Sequence, residues 1–262
     1  MNVQEIVDFL ETIAPRAMKY DWDNVGLLCG SAKQEVHKIL VALDPFENVC
    51  REAAQKGADL LVTHHPLIFH APKSVTDETD VGRSILFLAR HGICAVNAHT
   101  NLDCAPGGVN DVLAETLGLS DIRVLSPMGE DSQGRPWGLL RGGLVEEQPL
   151  ADFLPKVKER LQAKGLRYVD SGKAVRRVAV GGGACADEMF TALDAGCDTF
   201  VTADVKYNEF WDAKFLGLNL IDAGHFATEN PVVAVLAAKL RAAFPELPVE
   251  CAENHHDCAN FF

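Results

Sequence analysis

The sequence predicts an α/β protein of two similar lobes, with mostly parallel sheets covered by helices. Three observations carry this reading. Short apolar runs alternate with segments of helical period in the order β-α-β-α-β-α. The pattern of the first half returns in the second. Histidines and carboxylates fall just past the predicted strand ends of both halves, where ligands gather in open parallel sheets. The first lobe is expected over residues 1–125 and the second over residues 126–262, with the C-terminal helix packing back on the first lobe. The strand ends are expected to converge on a cleft between the lobes that holds a metal site.

The bulk numbers agree with a globular chain. Of 262 residues, 48% are hydrophobic and 23% charged, enough apolar material for a sizeable core. A net charge of −13 and a sequence pI of about 5.1 disfavour nucleic acid and anionic membrane as partners. No apolar run approaches the roughly 20 residues that span a bilayer. The eight cysteines are scattered without a CxxC pair, as expected for free thiols in a reducing compartment. The opening Met1-Asn2-Val3-Gln4-Glu5 lacks the basic start of a signal peptide, which predicts the cytoplasm.

The elements follow in order. Val3, Ile6, Val7, Leu10 and Ile13 have helical spacing, and Pro15 closes that segment. A polar-aromatic loop, Tyr20-Asp21-Trp22-Asp23-Asn24, enters a short apolar run. Strands are expected at residues 39–43, 60–63 and 93–98, with helices at 47–56, 82–90 and 109–117. Residues 127–136 read as a loop, 137–145 as a strand and 150–164 as a helix. A strand at 177–180, a helix at 187–194 and a strand at 199–202 then restate the first pattern. Gly57-Ala58-Asp59-Leu60-Leu61-Val62-Thr63 matches Gly196-Cys197-Asp198-Thr199-Phe200-Val201-Thr202 at Gly, Asp, Val and Thr. Residues 92–99 likewise echo residues 217–225. The echo predicts a duplicated α/β unit.

Thr63-His64-His65-Pro66 delivers two adjacent imidazoles to a strand end, and Pro66 stops the ladder because it has no N–H. Asp103 ends a corresponding loop. His225 precedes Glu229 by four residues, so both side chains reach one ion if that loop curls helically. Three imidazoles and two carboxylates form a mixed N/O set for two divalent ions, with Glu229 or Asp103 as a bridge. His99 fits an orienting partner, a general acid/base or a sixth ligand. Lys206 and Tyr207 are candidates to hold a phosphate or oxyanion. His255 and His256 read as a solvated tail.

Thr63-His64-His65-Pro66, Ala98-His99-Thr100-Asn101-Leu102-Asp103, Asp204-Val205-Lys206-Tyr207 and Gly224-His225-Phe226-Ala227-Thr228-Glu229 resemble the Nif3-like dinuclear-metal family, type 2 homologues of GTP cyclohydrolase I. The resemblance covers nearly the whole chain, from Trp22-Asp23-Asn24-Val25-Gly26-Leu27 onward. It implies a two-lobed subunit in a toroidal homohexamer, with His64, His65, Asp103, His225 and Glu229 as the ligands. Asn208 departs from the pattern, which commonly has histidine there, so no substrate role transfers to it.

The expected function is therefore hydrolysis of a nucleotide or related small molecule by metal-activated water, with His99 moving the proton and Lys206 and Tyr207 binding substrate. Mixed His/carboxylate ligation admits Zn, Fe, Mn, Co or Ni. The rival reading is a metal-binding assembly or interaction protein without turnover.

Overall fold

Alternating strands and helices build two units, each on its own sheet. The computed structural model describes residues 1–262. One unit comprises Met1–Leu102 and Val233–His256, the other Asp103–Val232 and Asp257–Phe262.

The first unit holds a five-stranded sheet in the order Gly26–Cys29, Cys94–Asn97, Leu60–Thr63, Ile39–Ala42, Val249–Cys251. Gly26–Cys29 is antiparallel to its neighbour, and the other pairings are parallel. Every residue of the three central strands is buried, as a parallel strand covered on both faces requires. Leu40, Ala42, Leu61 and Ala95 meet Val49, Cys50 and Ala53 of helix Glu47–Gln55, with Leu88 of helix Asp80–His91. Helix Val3–Ile13 starts in a reciprocal cap between Asn2 and Glu5 and buries Val3, Ile6 and Leu10.

Glu52 fastens the C-terminal segment to this unit. Its buried carboxylate accepts from the backbone N–H of Glu253 and of Asn254, both at 2.8 Å, and pairs with Lys56 Nζ at 3.0 Å. Burial alone raises the Glu52 pKa, but these donors outweigh it and hold the carboxyl below its ordinary 4.5. A depressed folded pKa contributes stability that is present above the ordinary value and lost as pH falls through the folded one. Glu52→Gln is expected to cost about 1.5–3 kcal/mol at pH 7. The wild-type advantage should shrink below about pH 4.5. Urea unfolding at pH 7 and pH 3.5 checks this, and a gap that does not narrow with acid contradicts it.

The second unit holds a six-stranded sheet in the order Ser120–Val124, Arg141–Gln148, Val175–Val180, Thr199–Thr202, Asn219–Asp222, Arg167–Val169. The two pairings of Thr199–Thr202 are parallel, and the remaining three pairings are antiparallel. Strand alternation sorts its core into two layers. Val178, Val180, Val201 and Ile221 face Leu113, Phe153 and Val157, from helices Val109–Thr116 and Leu150–Arg160. Ala179, Phe200 and Leu220 face Met189, Ala192 and Ala213, from helices Met189–Asp194 and Tyr207–Leu216.

The residues of the sequence echo do matching work in each unit. Gly57 (φ +67°) and Gly196 (φ +75°) each follow a helix in the left-handed region that only glycine enters without strain. Asp59 accepts from the backbone N–H of His37 and Lys38, at 2.7 and 3.2 Å. Asp198 accepts from those of Arg176 and Arg177, at 3.1 and 2.7 Å. Each carboxylate thus closes the start of the neighbouring strand.

Several elements differ from the sequence expectation. The expected strand at 137–145 is Arg141–Gln148, because Trp137 instead pairs Gly129 in a two-residue ladder. The expected helix at 150–164 ends at Arg160, with Gln162 at φ +52°. The second sheet gains three antiparallel neighbours. Its edge strands Ser120–Val124 and Arg167–Val169 are too polar and exposed to announce themselves as apolar runs. The expected lobe boundary at 125 is replaced by one after Leu102, because Ser120–Val124 pairs with Arg141–Gln148 and draws residues 103–125 into the second unit. Asp103 accordingly belongs to the second unit, and residues 233–256 to the first.

Candidate metal centre

In the first unit, three histidines leave two adjacent parallel strands at their carboxyl ends. His64 and His65 follow Leu60–Thr63, and His99 follows Cys94–Asn97. Their ligand nitrogens all lie within 4.8 Å of one another. Each ring is held at Nδ1. His64 Nδ1 donates to the Ala98 carbonyl at 2.9 Å, His65 to Asp44 Oδ1 at 2.6 Å, and His99 to Asp23 Oδ1 at 2.8 Å. Neither a carbonyl nor an ionised carboxylate can donate, so each Nδ1 carries a proton and Nε2 is the nitrogen left for a ligand lone pair.

The carboxylates that hold these rings are ionised by construction. Burial raises the Asp23 pKa, but hydrogen bonds from His99 and Thr100 outweigh it and bring the carboxyl down to about 2. Thr100 supplies its N–H at 3.0 Å and its hydroxyl at 2.5 Å. Burial likewise opposes ionisation of Asp44, and His255 and His65 pull its pKa well below the usual carboxylate range.

In the second unit, residues 225–229 form the short helix His225–Glu229, so the four-residue spacing brings both side chains together. His225 Nε2 lies 3.0 Å from Glu229 Oε2, and its Nδ1 lies 2.8 Å from Asp204 Oδ2. Burial lowers the His225 pKa, yet the two flanking carboxylates prevail and push it up to about 11. Asp103 and Glu229 carry carboxylate oxygens within 4.8 Å of each other. Both are buried, at 7% and 4% exposure. Two carboxylates so close repel, and although the His225 imidazolium offsets part of that charge, Asp103, Glu229 and Asp204 leave the cluster net negative, which makes the place cation-seeking. Cys185 stays a neutral thiol, since burial and the nearby Asp103 and Glu229 charges push its pKa far up.

Backbone economy makes this arrangement fit. Gly183 sits at φ +64°, and a Cβ there would run into Glu229 Oε1. Its N–H donates to Thr228 Oγ1 at 3.0 Å, and Gly182 N–H donates to Asn110 Oδ1 at 2.7 Å. Asn110 Nδ2 in turn donates to the Asp103 carbonyl at 3.2 Å. The glycine run at 181–183 and Asn110 are thus site residues that the sequence reading leaves unassigned.

A family comparison decides what this chain is related to. Duf34/NIF3 (NGG1p interacting factor 3) matches residues 1–257. The chain belongs to the DUF34/NIF3 family. It is 36% identical over 242 residues to a GTP cyclohydrolase 1 type 2 homolog of Clostridium perfringens, covering 92% of each chain. A protein of the same name from Clostridium acetobutylicum is 32% identical over 266 residues, covering 100% of this chain and 99% of the relative. The crystal structure of a Bacillus cereus protein related to NIF3 superposes with a TM-score of 0.94 at 26% identity, covering 100% of this chain and 99% of that one.

Within this NIF3-family chain, the other residues singled out in the sequence are placed as follows. Lys206 and Tyr207 are exposed at the start of helix Tyr207–Leu216, and Lys206 Nζ pairs with Glu209 at 3.3 Å. His255 is not a solvated tail residue. Its side chain is 5% exposed and its Nε2 donates to Asp44 Oδ2 at 2.8 Å. His256 is exposed. Asp23, Asp44 and Asp204 join the site as histidine-holding carboxylates. Asp23 and Asp204 lie inside stretches that carry the family resemblance but receive no role there, and Asp44 has no signal beyond being an aspartate after a strand. All eight cysteines are free thiols. No helix is long and apolar enough to cross a membrane.

Proposed function

We propose that this chain is a cytoplasmic, metal-dependent hydrolase that holds two divalent ions through His64, His65, Asp103, His225 and Glu229 and acts on a nucleotide or related small molecule. One observation carries the reading: all four strand-end histidines are clamped at Nδ1 by a carbonyl or carboxylate. That is the arrangement by which proteins fix the ring and tautomer of a metal-ligating imidazole and raise its basicity. An exposed histidine can make one such contact, as His91 does to the Phe87 carbonyl at 2.8 Å, but His64, His65 and His99 do so with their ligand nitrogens within 4.8 Å of one another. The buried carboxylates Asp103 and Glu229 complete a hard-and-borderline donor set that suits Zn, Fe, Mn, Co or Ni.

Divalent ions bound there supply Lewis acidity and a water of near-neutral pKa. The protein's own residues do the rest. His99, steadied by Asp23, takes up and returns the proton of the attacking water at Nε2. Trp22 and Phe69 are exposed, at 61% and 42%, with ring centroids 6.3 and 6.0 Å from His99. Their open rings suit a flat heteroaromatic group beside the imidazoles. This supports a nucleotide substrate and is in keeping with the relatives' name. A lysine already engaged by Glu209 is a weaker anchor for phosphate, so Lys206 and Tyr207 keep a secondary part. Exposed Trp211 and Phe215 on helix Tyr207–Leu216 support self-association, which we propose to be the toroidal homohexamer.

His99→Gln separates catalysis from metal storage. It is expected to keep two ions per chain while turnover of GTP or a phosphoester panel by the metal-loaded protein falls about 10²–10⁴-fold. Metal-loaded wild type with no turnover on any of these substrates would favour the non-catalytic binding protein.

A further inference from the structure

Asp44 divides its two oxygens between two histidines far apart in sequence. Oδ1 accepts from His65 Nδ1 at 2.6 Å, and Oδ2 accepts from His255 Nε2 at 2.8 Å. Asp44 itself follows strand Ile39–Ala42, so its main chain is fixed by the sheet. Its side chain keeps two torsions, and one acceptor contact to His65 does not set both. The second contact, to a buried imidazole, does.

The segment that brings His255 there is built rather than loose. Strand Val249–Cys251 runs parallel to Ile39–Val41, and Ala252 N–H donates to the Val41 carbonyl at 2.8 Å. Glu52 takes the N–H groups of Glu253 and Asn254. Asn48 Nδ2 donates to the Asn254 carbonyl at 2.6 Å. Four consecutive residues are therefore tied down, and the next is His255. By contrast His256 is exposed. A tail that needed only to pack would not place a polar ring at 5% exposure on the free oxygen of a carboxylate already holding His65.

We infer that His255 is a positioning residue for His65, acting through Asp44, and that the C-terminal segment thereby sets the affinity of the ion His65 holds. This rests on the metal reading above. With Asp44 braced from both sides, the His65 ring is fixed in plane and tautomer, and the cost of ordering it is met by folding rather than by ion binding. Without His255 the carboxylate swings, and His65 orders only when the ion arrives.

The test is a titration of full-length protein with Co²⁺ alone, followed by calorimetry and by the visible d–d absorption that reports ligand geometry. Wild type, His255→Phe and His255→Gln are compared. Phe keeps the buried volume without the donor, and the Gln amide nitrogen replaces Nε2 as donor. In His255→Phe one of two Co²⁺ ions is expected to bind about 10–100-fold more weakly with an altered spectrum, the other unchanged. His255→Gln should move both readouts back toward wild type. If His255→Phe fails to fold, Asp44→Asn takes its place with the same expected weakening. Two ions bound with wild-type affinity and spectrum in the folded His255→Phe or Asp44→Asn protein would overturn the inference while leaving the metal reading intact. Wild type that binds no Co²⁺ would overturn both.

Discussion

Glu229→Ala is expected to lose at least one of the two ions outright, a larger loss than the roughly 10–100-fold that removing an outer partner costs. Glu229 is buried, lies 3.0 Å from His225 Nε2, and shares its surroundings with the Asp103 carboxylate. Gly183 packs against its carboxylate and contributes no side chain of its own. The variant should nonetheless fold. In the absence of an ion, removing Glu229 relieves its repulsion with Asp103 but breaks its pair with His225, which keeps Asp204 as a partner, so the two effects on the metal-free state oppose each other. Adding metal should raise the melting temperature of wild type by mass action, and that of Glu229→Ala much less. A variant that melts like metal-free wild type and gains nothing from metal agrees with the account. A variant with an undiminished metal response contradicts the assignment of Glu229 as a ligand.

Arg141→Met is expected to destabilise the second unit by about 3–5 kcal/mol, the cost of breaking a buried ion pair on one side. Arg141 is 1% exposed. Its guanidinium donates to Asp111 Oδ1 and Oδ2 at 2.6 and 3.0 Å. It also donates to the Gly138 carbonyl at 2.6 Å and to those of Cys104 and Ala105 at 3.2 Å. Met keeps much of the volume but takes the cation from the Asp111 carboxylate, which retains the Gly107 N–H at 2.7 Å, and takes one donor from each of three carbonyls. Two of those carbonyls follow Asp103 directly, so the loop that presents a proposed ligand should loosen with them. Urea unfolding of metal-free protein reads the effect as a lower midpoint at unchanged slope. Arg141→Met/Asp111→Leu, which removes both charges, should recover part of the loss. A single variant as stable as wild type would show that the pair is not what holds this loop.

Much of this architecture was legible in the sequence, and the reasons differ by residue. Leu60–Thr63, Cys94–Asn97 and Thr199–Thr202 are buried on both faces, so they read as unbroken apolar runs. The histidines past the ends of Leu60–Thr63 and Cys94–Asn97 were visible for the same reason. The helical curl of His225–Glu229 was legible from spacing alone. Ser120–Val124 and Arg167–Val169 were not, because an edge strand needs no apolar face and is specified by its partner. Asp23, Asp44 and Asp204 were hidden for another reason. A carboxylate that orients an imidazole acts across 76, 21 and 21 residues respectively, and no local period records that. His255 reads as solvated in the sequence because its place depends on the three-residue strand Val249–Cys251 finding Ile39–Ala42, a pairing between opposite ends of the chain.

The most direct test of the central claim is the metal content of wild-type protein, purified without chelator and measured by elemental analysis. The account predicts about two divalent ions per chain, removed by a chelator and restored by adding metal back. Protein that folds, carries none and takes up none would contradict it, and the clamped histidines would then need another purpose.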